Sequence, residues 1–90
     1  MTLQGHAEVP LELIGLRHER ISGIREVNRR TKYYRNLRNS IKTLGLLQPI
    51  SLYHENNHLF LLDGFTRFIA WTSLYPLKPI PATWKMEVTK

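Results

Sequence analysis

The apolar positions of this chain fall into short blocks with distinct periods. Between Val9 and Ile14, the residues Val9, Leu11 and Leu13 alternate with Pro10, Glu12 and Ile14. That alternation predicts a first strand, at a sheet edge because Pro10 cannot donate to a ladder. From Lys32 to Leu44, Tyr34, Leu37, Ile41 and Leu44 recur at i, i+3, i+7 and i+10, one apolar face of an α-helix. Gly45 and then Pro49 supply its stop, and Lys42 in its last turn suits the helix dipole. Ile50, Leu52 and His54 alternate with Ser51 and Tyr53, and His58 to Leu62 returns after Glu55-Asn56-Asn57, whose asparagines tolerate positive φ. The pair predicts a hairpin. Asp63-Gly64 breaks the chain. Phe65, Phe68, Ile69 and Thr72 then predict a second helix over 65–75, ended by Pro76 and Pro79. Ile80, Ala82 and Trp84 alternate with Pro81, Thr83 and Lys85 as a last strand.

The order is strand, connector, helix, hairpin, helix, strand. It predicts an α+β domain with one small mixed sheet and helices packed on it. Residues 1–8 read as a flexible tail and residues 15–31 as a basic connector, in which Ile21, Ile24 and Val27 could form a short helical stripe. Ninety residues leave room for one domain over 1–90. Hydrophobic content of 42% is ordinary for a folded chain and argues against wholesale disorder. The absence of cysteine excludes a disulfide framework, thiol catalysis and Cys-ligated metals. No apolar run approaches the length of a membrane span, and the N-terminus lacks a signal-peptide pattern, so a soluble, cytoplasmic protein is expected.

Charge sharpens this picture. The formal net charge is +6, which favours a polyanionic partner. Arg17, Arg20, Arg25, Arg29, Arg30, Lys32, Arg35, Arg38 and Lys42 hold nine of the thirteen basic residues, opposed locally only by Glu19 and Glu26. The run reads either as a solvated surface or as a patch that contacts phosphates, where arginine forms bidentate bonds that lysine cannot. No base-stacking pattern is evident, so backbone contact to duplex DNA is the expected mode.

Leu62-Asp63-Gly64-Phe65-Thr66-Arg67 is the stretch richest in chemistry. A strand ends, a glycine permits a sharp turn, and a helix begins whose first N–H groups lack intrahelical acceptors. Gly64 would let an anion approach the backbone, Thr66 could donate a hydroxyl, and Arg67 could clamp a phosphate. Equally, Asp63 could cap the helix and pair with Arg67. Asp63 is also a weak candidate for holding Mg²⁺ in hydrolysis. His54 and His58 could face each other across the hairpin, but no further ligands for a metal lie near them in sequence.

"SIKTLGLLQPISLY", "LFLLDGFTRFIAWTSL" and "IPATW" together resemble the ParB/sulfiredoxin superfamily, in particular its ParB-like N-terminal domain. The resemblance covers roughly residues 9–85. It implies nucleotide or phosphate contacts on two segments: Gly45, Leu46, Leu47, Gln48 and Pro49, and Gly64, Phe65, Thr66 and Arg67. It implies a nucleotide such as CTP or ATP with Mg²⁺ as ligand. Where partition-type ParB proteins have Gly-Glu-Arg-Arg, this chain has Gly64-Phe65-Thr66-Arg67, without the acidic group and the first arginine. At the position of sulfiredoxin's nucleophilic cysteine stands Phe65, so attack by a thiol on a sulfinic acid is chemically excluded.

The function expected is a DNA-associated ParB-like binding module, carrying a phosphate or nucleotide site and serving the maintenance or regulation of a plasmid, phage or other mobile element. Two alternatives stand beside it: a small Mg²⁺-dependent nuclease or nucleotide hydrolase using Asp63 and Arg67, and an interaction module whose basic face docks an acidic protein, such as a component of a DNA-maintenance system.

Overall fold

In the computed structural model, which describes residues 1–16 and 30–88, each element follows from a local cause. The first helix, α1, spans Lys32–Leu44. Thr31 caps it, its side chain accepting from the Tyr34 N–H at 3.2 Å, which satisfies one of the orphan donors of the first turn. Gly45 ends it at φ 81°, where a side chain would be strained. Tyr34 and Ile41 are buried and Leu37 packs beside them. Leu44, which the periodicity assigns to the same face, is 64% exposed because it lies in the last turn, beyond the packed surface.

Among the described residues, five strands form one mixed sheet: β1 Thr2–Val9, β2 Ile14–Gly15, β3 Ile50–Glu55, β4 His58–Asp63 and β5 Ile80–Glu87, in the spatial order β1-β5-β3-β4-β2. β3 and β4 are the expected hairpin, joined through Asn56 and Asn57 at φ 51° and 64°. Positive φ at both loop residues matches the right-handed twist of the strands. β5 runs parallel to β3 on its other side. The second helix, α2 Phe65–Leu74, makes the crossover between β4 and β5.

Two expectations fail at the N-terminus. Of residues 1–8, expected as a tail, all but Met1 belong to β1, which pairs antiparallel with β5 from Thr2↔Glu87 to Val9↔Ile80. The alternation from Val9 to Ile14, expected as a strand, is instead a single 3-10 turn at Leu11–Leu13 followed by the two-residue β2. Pro10 explains this: it lacks an N–H, and its carbonyl accepts from Leu13 N at 3.1 Å, which closes the turn. Most of the basic connector, with Ile21, Ile24 and Val27, lies outside the described residues. Among those described, no helix is long and apolar enough to cross a membrane.

The core lies between the sheet and the helices. Ile50, Leu52, Leu61 and Ile80 are its most deeply buried large side chains, covered by Phe68, Ala70 and Trp71 of α2. Gly5 sits beneath the Trp84 indole, where an added Cβ would lie 2.7 Å from a ring carbon. The Trp71 N–H reaches the carbonyl of Lys78 at 3.1 Å. The Tyr34 hydroxyl, by contrast, is buried with no hydrogen-bond partner among the described residues. An unpaired buried hydroxyl costs about 1–3 kcal/mol of desolvation. Tyr34→Phe should therefore keep or raise the melting temperature. Tyr34→Ala should lose about 3–5 kcal/mol by the cavity it opens. Urea unfolding of the two variants beside the wild type checks both, and a marked loss in Tyr34→Phe would show that the hydroxyl has a partner.

Candidate phosphate-binding site

The chain passes from β4 into α2 through Gly64, at φ 97° and ψ 32°. This left-handed conformation is open to glycine and strained for other residues. The turn places Arg67 so that its guanidinium folds back over the glycine: a Cβ on Gly64 would stand 2.9 Å from Arg67 Nη2 and 3.0 Å from the Ile50 side chain. Beyond it, Arg67 Nη1 donates to Gln48 Oε1 and Nη2 to the Pro49 carbonyl, each at 3.4 Å. The Nε is buried and has no acceptor among the described residues. The two segments singled out in the sequence, Gly45 to Pro49 and Gly64 to Arg67, thus meet at this arginine.

Beside Arg67 opens a cavity of about 410 Å³, walled by Gly45, Leu46, Leu47 and Gln48 on one side and by Tyr33, Leu37 and Ser40 of α1 on the other. Its rim is apolar, with Tyr33 68% and Leu47 72% exposed. Sequence reasoning does not single out Tyr33 or Ser40. Their spacing nonetheless holds a signal: Tyr33, Leu37, Ser40 and Leu44 fall at i, i+4, i+7 and i+11, a second stripe flanking the buried one. Gly64, Phe65 and Thr66 do not line this cavity. Of that turn, only Arg67 reaches it. The free donors of the helix are also fewer than Phe65 to Phe68, because Phe68 N donates to the Gly64 carbonyl at 2.8 Å. The N–H groups of Phe65, Thr66 and Arg67 begin the helix without intrahelical acceptors.

Asp63 does not cap α2. Gly64 holds the N-cap position with no side-chain hydrogen bond, and Asp63 is exposed at the end of β4. Its backbone belongs to the β ladder opposite Ser51, which keeps its side chain from the capping geometry. Arg67 turns to Gln48 and Pro49 rather than to Asp63. His54 and His58 are not partners either, since the register sets His54 opposite Leu59 and His58 opposite Glu55. His54 Nδ1 lies 2.9 Å from Met86 Sδ instead. Among the described residues, no three His, Asp or Glu side chains are grouped to hold a metal ion.

Of the basic candidates, Arg30, Lys32, Arg35 and Arg38 are described and all are exposed. Arg17, Arg20, Arg25 and Arg29 lie outside the described residues. On α1, at 100° per residue, Arg35, Arg38 and Lys42 flank one side of the buried Tyr34–Ile41 stripe. Tyr33, Leu37 and Ser40 flank the other, so the basic stripe faces away from the cavity.

A β4–α2 turn closed by arginine, a helix packed beside it and a parallel β3–β5 pair across the crossover together define the fold. It is a ParB/sulfiredoxin-like fold. The chain is similar to sulfiredoxin from Arabidopsis thaliana, with 23% identity and a TM-score of 0.71, over 97% of this chain and 86% of that one. It is similar also to the C-terminally truncated chromosome-partitioning protein ParB from Caulobacter crescentus, complexed with CTP-gamma-S, with 24% identity and a TM-score of 0.68. That match covers 93% of this chain and 46% of the ParB chain, so the present chain spans less than half of it. No protein-family model matches the chain. No curated protein matches it in sequence.

Gly64→Val should both strain the turn and push the Arg67 guanidinium off its seat. A loss of roughly 1–3 kcal/mol is expected from the φ requirement alone. Chemical denaturation measures it, and a variant as stable as the wild type would show that the turn can be made without glycine.

Proposed function

We propose that this chain is a ParB-like module that takes a nucleotide or other phosphate ligand beside Arg67 and associates with DNA, in the service of maintaining or regulating a plasmid, phage or other mobile element. The observation that carries the reading is the state of Arg67. Among the described residues its two hydrogen bonds are to neutral oxygens at 3.4 Å, the long limit of such bonds, and its Nε has none. Phosphate oxygens would satisfy Nη1 and Nη2 with charge-assisted bonds worth roughly 1.5–3 kcal/mol each before desolvation costs. A space of about 410 Å³ suits a small ligand, and the exposed Tyr33 and Leu47 offer apolar surface to a base. The Caulobacter crescentus ParB was captured with CTP-gamma-S, which favours a nucleotide over a bare anion. Thr66 and the N–H groups of Phe65 and Thr66 belong to the same first turn of α2 as Arg67, where a polyphosphate extending past the arginine would meet them.

Calorimetric titration with CTP, ATP and GTP, each with and without Mg²⁺, tests this reading. Arg67→Ala should weaken binding at least about ten-fold, or about 1.4 kcal/mol. Because it also removes the contacts to Gln48 and Pro49, its melting curve should fall modestly, and binding is compared at a temperature where both proteins are folded. Arg67→Lys should recover only part of the loss, because a point charge replaces a fork. A wild-type protein that binds no nucleotide or phosphate at millimolar concentration ends the reading.

The DNA part of the reading rests on the basic run, of which Arg35, Arg38 and Lys42 form one exposed stripe on α1. Changing these three to Gln should weaken duplex binding and flatten the salt dependence by about 0.9 for each phosphate no longer neutralised. Fluorescence anisotropy over a salt series reads the slope, and an unchanged slope would remove this stripe from the interface.

A further inference from the structure

The two edges of the sheet are built very differently. One edge strand, β2, is two residues long, too short to template another chain. The other, β1, runs eight residues in unbroken register with β5. It contains no proline, no lysine and a single formal charge, Glu8. Those are the devices by which sheets keep an edge from pairing, together with bulges, and β1 has no bulge.

Parity settles which groups are free. Val88 N donates to the Met1 carbonyl at 2.8 Å, so Met1 and Val88 form a hydrogen-bonded pair. In an antiparallel ladder such pairs alternate. Leu3, Gly5, Ala7 and Val9 therefore bond inward to β5, while the N–H and C=O groups of Thr2, Gln4, His6 and Glu8 point outward. The side chains sort with them. Val9 is in the core and Gly5 lies beneath Trp84, so the odd positions share the helix-covered face. On that face Met1 is 84% and Leu3 38% exposed.

The geometry points to a second copy of this chain as the partner of the β1 edge, joined antiparallel about a two-fold axis at Gly5, so that two sheets become one of ten strands. A symmetric pair must set outward-bonding residues opposite outward-bonding residues, and the register centred on Gly5 does so over the whole strand. Gln4 then faces His6 of the second copy, and Thr2 faces Glu8. Each of these pairs exchanges two backbone hydrogen bonds. On the helix-covered face, Leu3 faces Ala7 and Met1 faces Val9, which gives the two exposed side chains apolar neighbours. Charge favours the same register: no like charges oppose each other, whereas a register centred on Glu8 would set the two carboxylates face to face. Within the strand itself the single charged side chain, Glu8, is acidic. The inference is independent of the phosphate reading, since none of Arg67, Gln48 and Tyr33 takes part.

Sedimentation equilibrium of the whole chain, from micromolar to millimolar concentration, tests it. The wild type should approach twice the monomer mass. Gln4→Pro removes an outward N–H while leaving every inward bond to β5 in place, and should halve the mass. Gln4→Glu combined with His6→Glu guards against misfolding of the proline variant. It sets like charges across the axis yet places Glu opposite Lys85 within its own chain, and it should give the same result with an unchanged circular dichroism spectrum. A wild type that stays monomeric throughout overturns the inference. So does a dimer whose mass survives the folded double variant, because another surface would then be holding it.

Discussion

The reversal between β4 and α2 is made by one residue, and much of the structure hangs on it. At φ 97°, Gly64 turns the chain out of the sheet and starts the helix at once. Because it has no Cβ, Ile50 and the Arg67 guanidinium can close over it. Ile50 begins β3, and the guanidinium reaches the Pro49 carbonyl that precedes it. One turn therefore ties the end of β4, the start of β3 and the first turn of α2 to a common point. A larger residue would separate all three, not merely strain one dihedral angle.

From that point, α2 is committed to lie across the sheet. It packs on α1 on one side and on the strands on the other, so Phe68, Ala70 and Trp71 are all buried. Ala70 is fully enclosed, and its small size is what lets the helix approach its neighbours closely. The C-terminal end is fixed by polar contacts: the Trp71 N–H holds the Lys78 carbonyl, and the Lys78 ammonium lies 5.7 Å from the Trp71 ring and 5.2 Å from the Tyr75 ring. Such cation–π contacts at exposed sites contribute about 0.5–1 kcal/mol. Their position over the Pro76–Pro79 turn delivers the chain into β5 beside β3.

How much of this is legible in the sequence depends on whether a feature leaves a local mark. The α1 stripe, its Gly45 stop, the two-asparagine hairpin and the strand–Gly–helix break at Gly64 are each written in contiguous residues. The β1 strand is not: Thr2–Val9 shows no apolar alternation, because its side chains are exposed on both faces except at Gly5 and Val9. Its conformation comes from pairing with β5, about eighty residues away in the chain, and no local pattern carries that. Trp71 escapes the pattern for the opposite reason. A helix buried on two sides has no single stripe, so the spacing of Phe65, Phe68, Ile69 and Thr72 describes only part of its contact surface. At the candidate site, the residue types at Gln48 and Arg67 are legible, and the 3.4 Å contact between them is not. Tyr33 and Ser40 are hidden by a stronger neighbour: the Tyr34–Ile41 stripe already accounts for the helix, and a second flank adds nothing that the periodicity needs.

That second flank makes α1 a three-sided element. One face is buried, one lines the cavity beside Arg67, and one carries Arg35, Arg38 and Lys42 to solvent. Side chains on a helix advance 100° per residue, so the three faces are separated by rotations of about one residue. Sliding α1 by a single position would put Arg35 into the core and Tyr34 onto the cavity. The helix is held against that slip at both ends, by the Thr31 side chain on the Tyr34 N–H and by Gly45, whose N–H bonds back to the Ile41 carbonyl at 2.9 Å. The caps are therefore more than terminal stabilisation here. They set the angular phase of the helix, and that phase decides which side chains stand beside the arginine and which face outward.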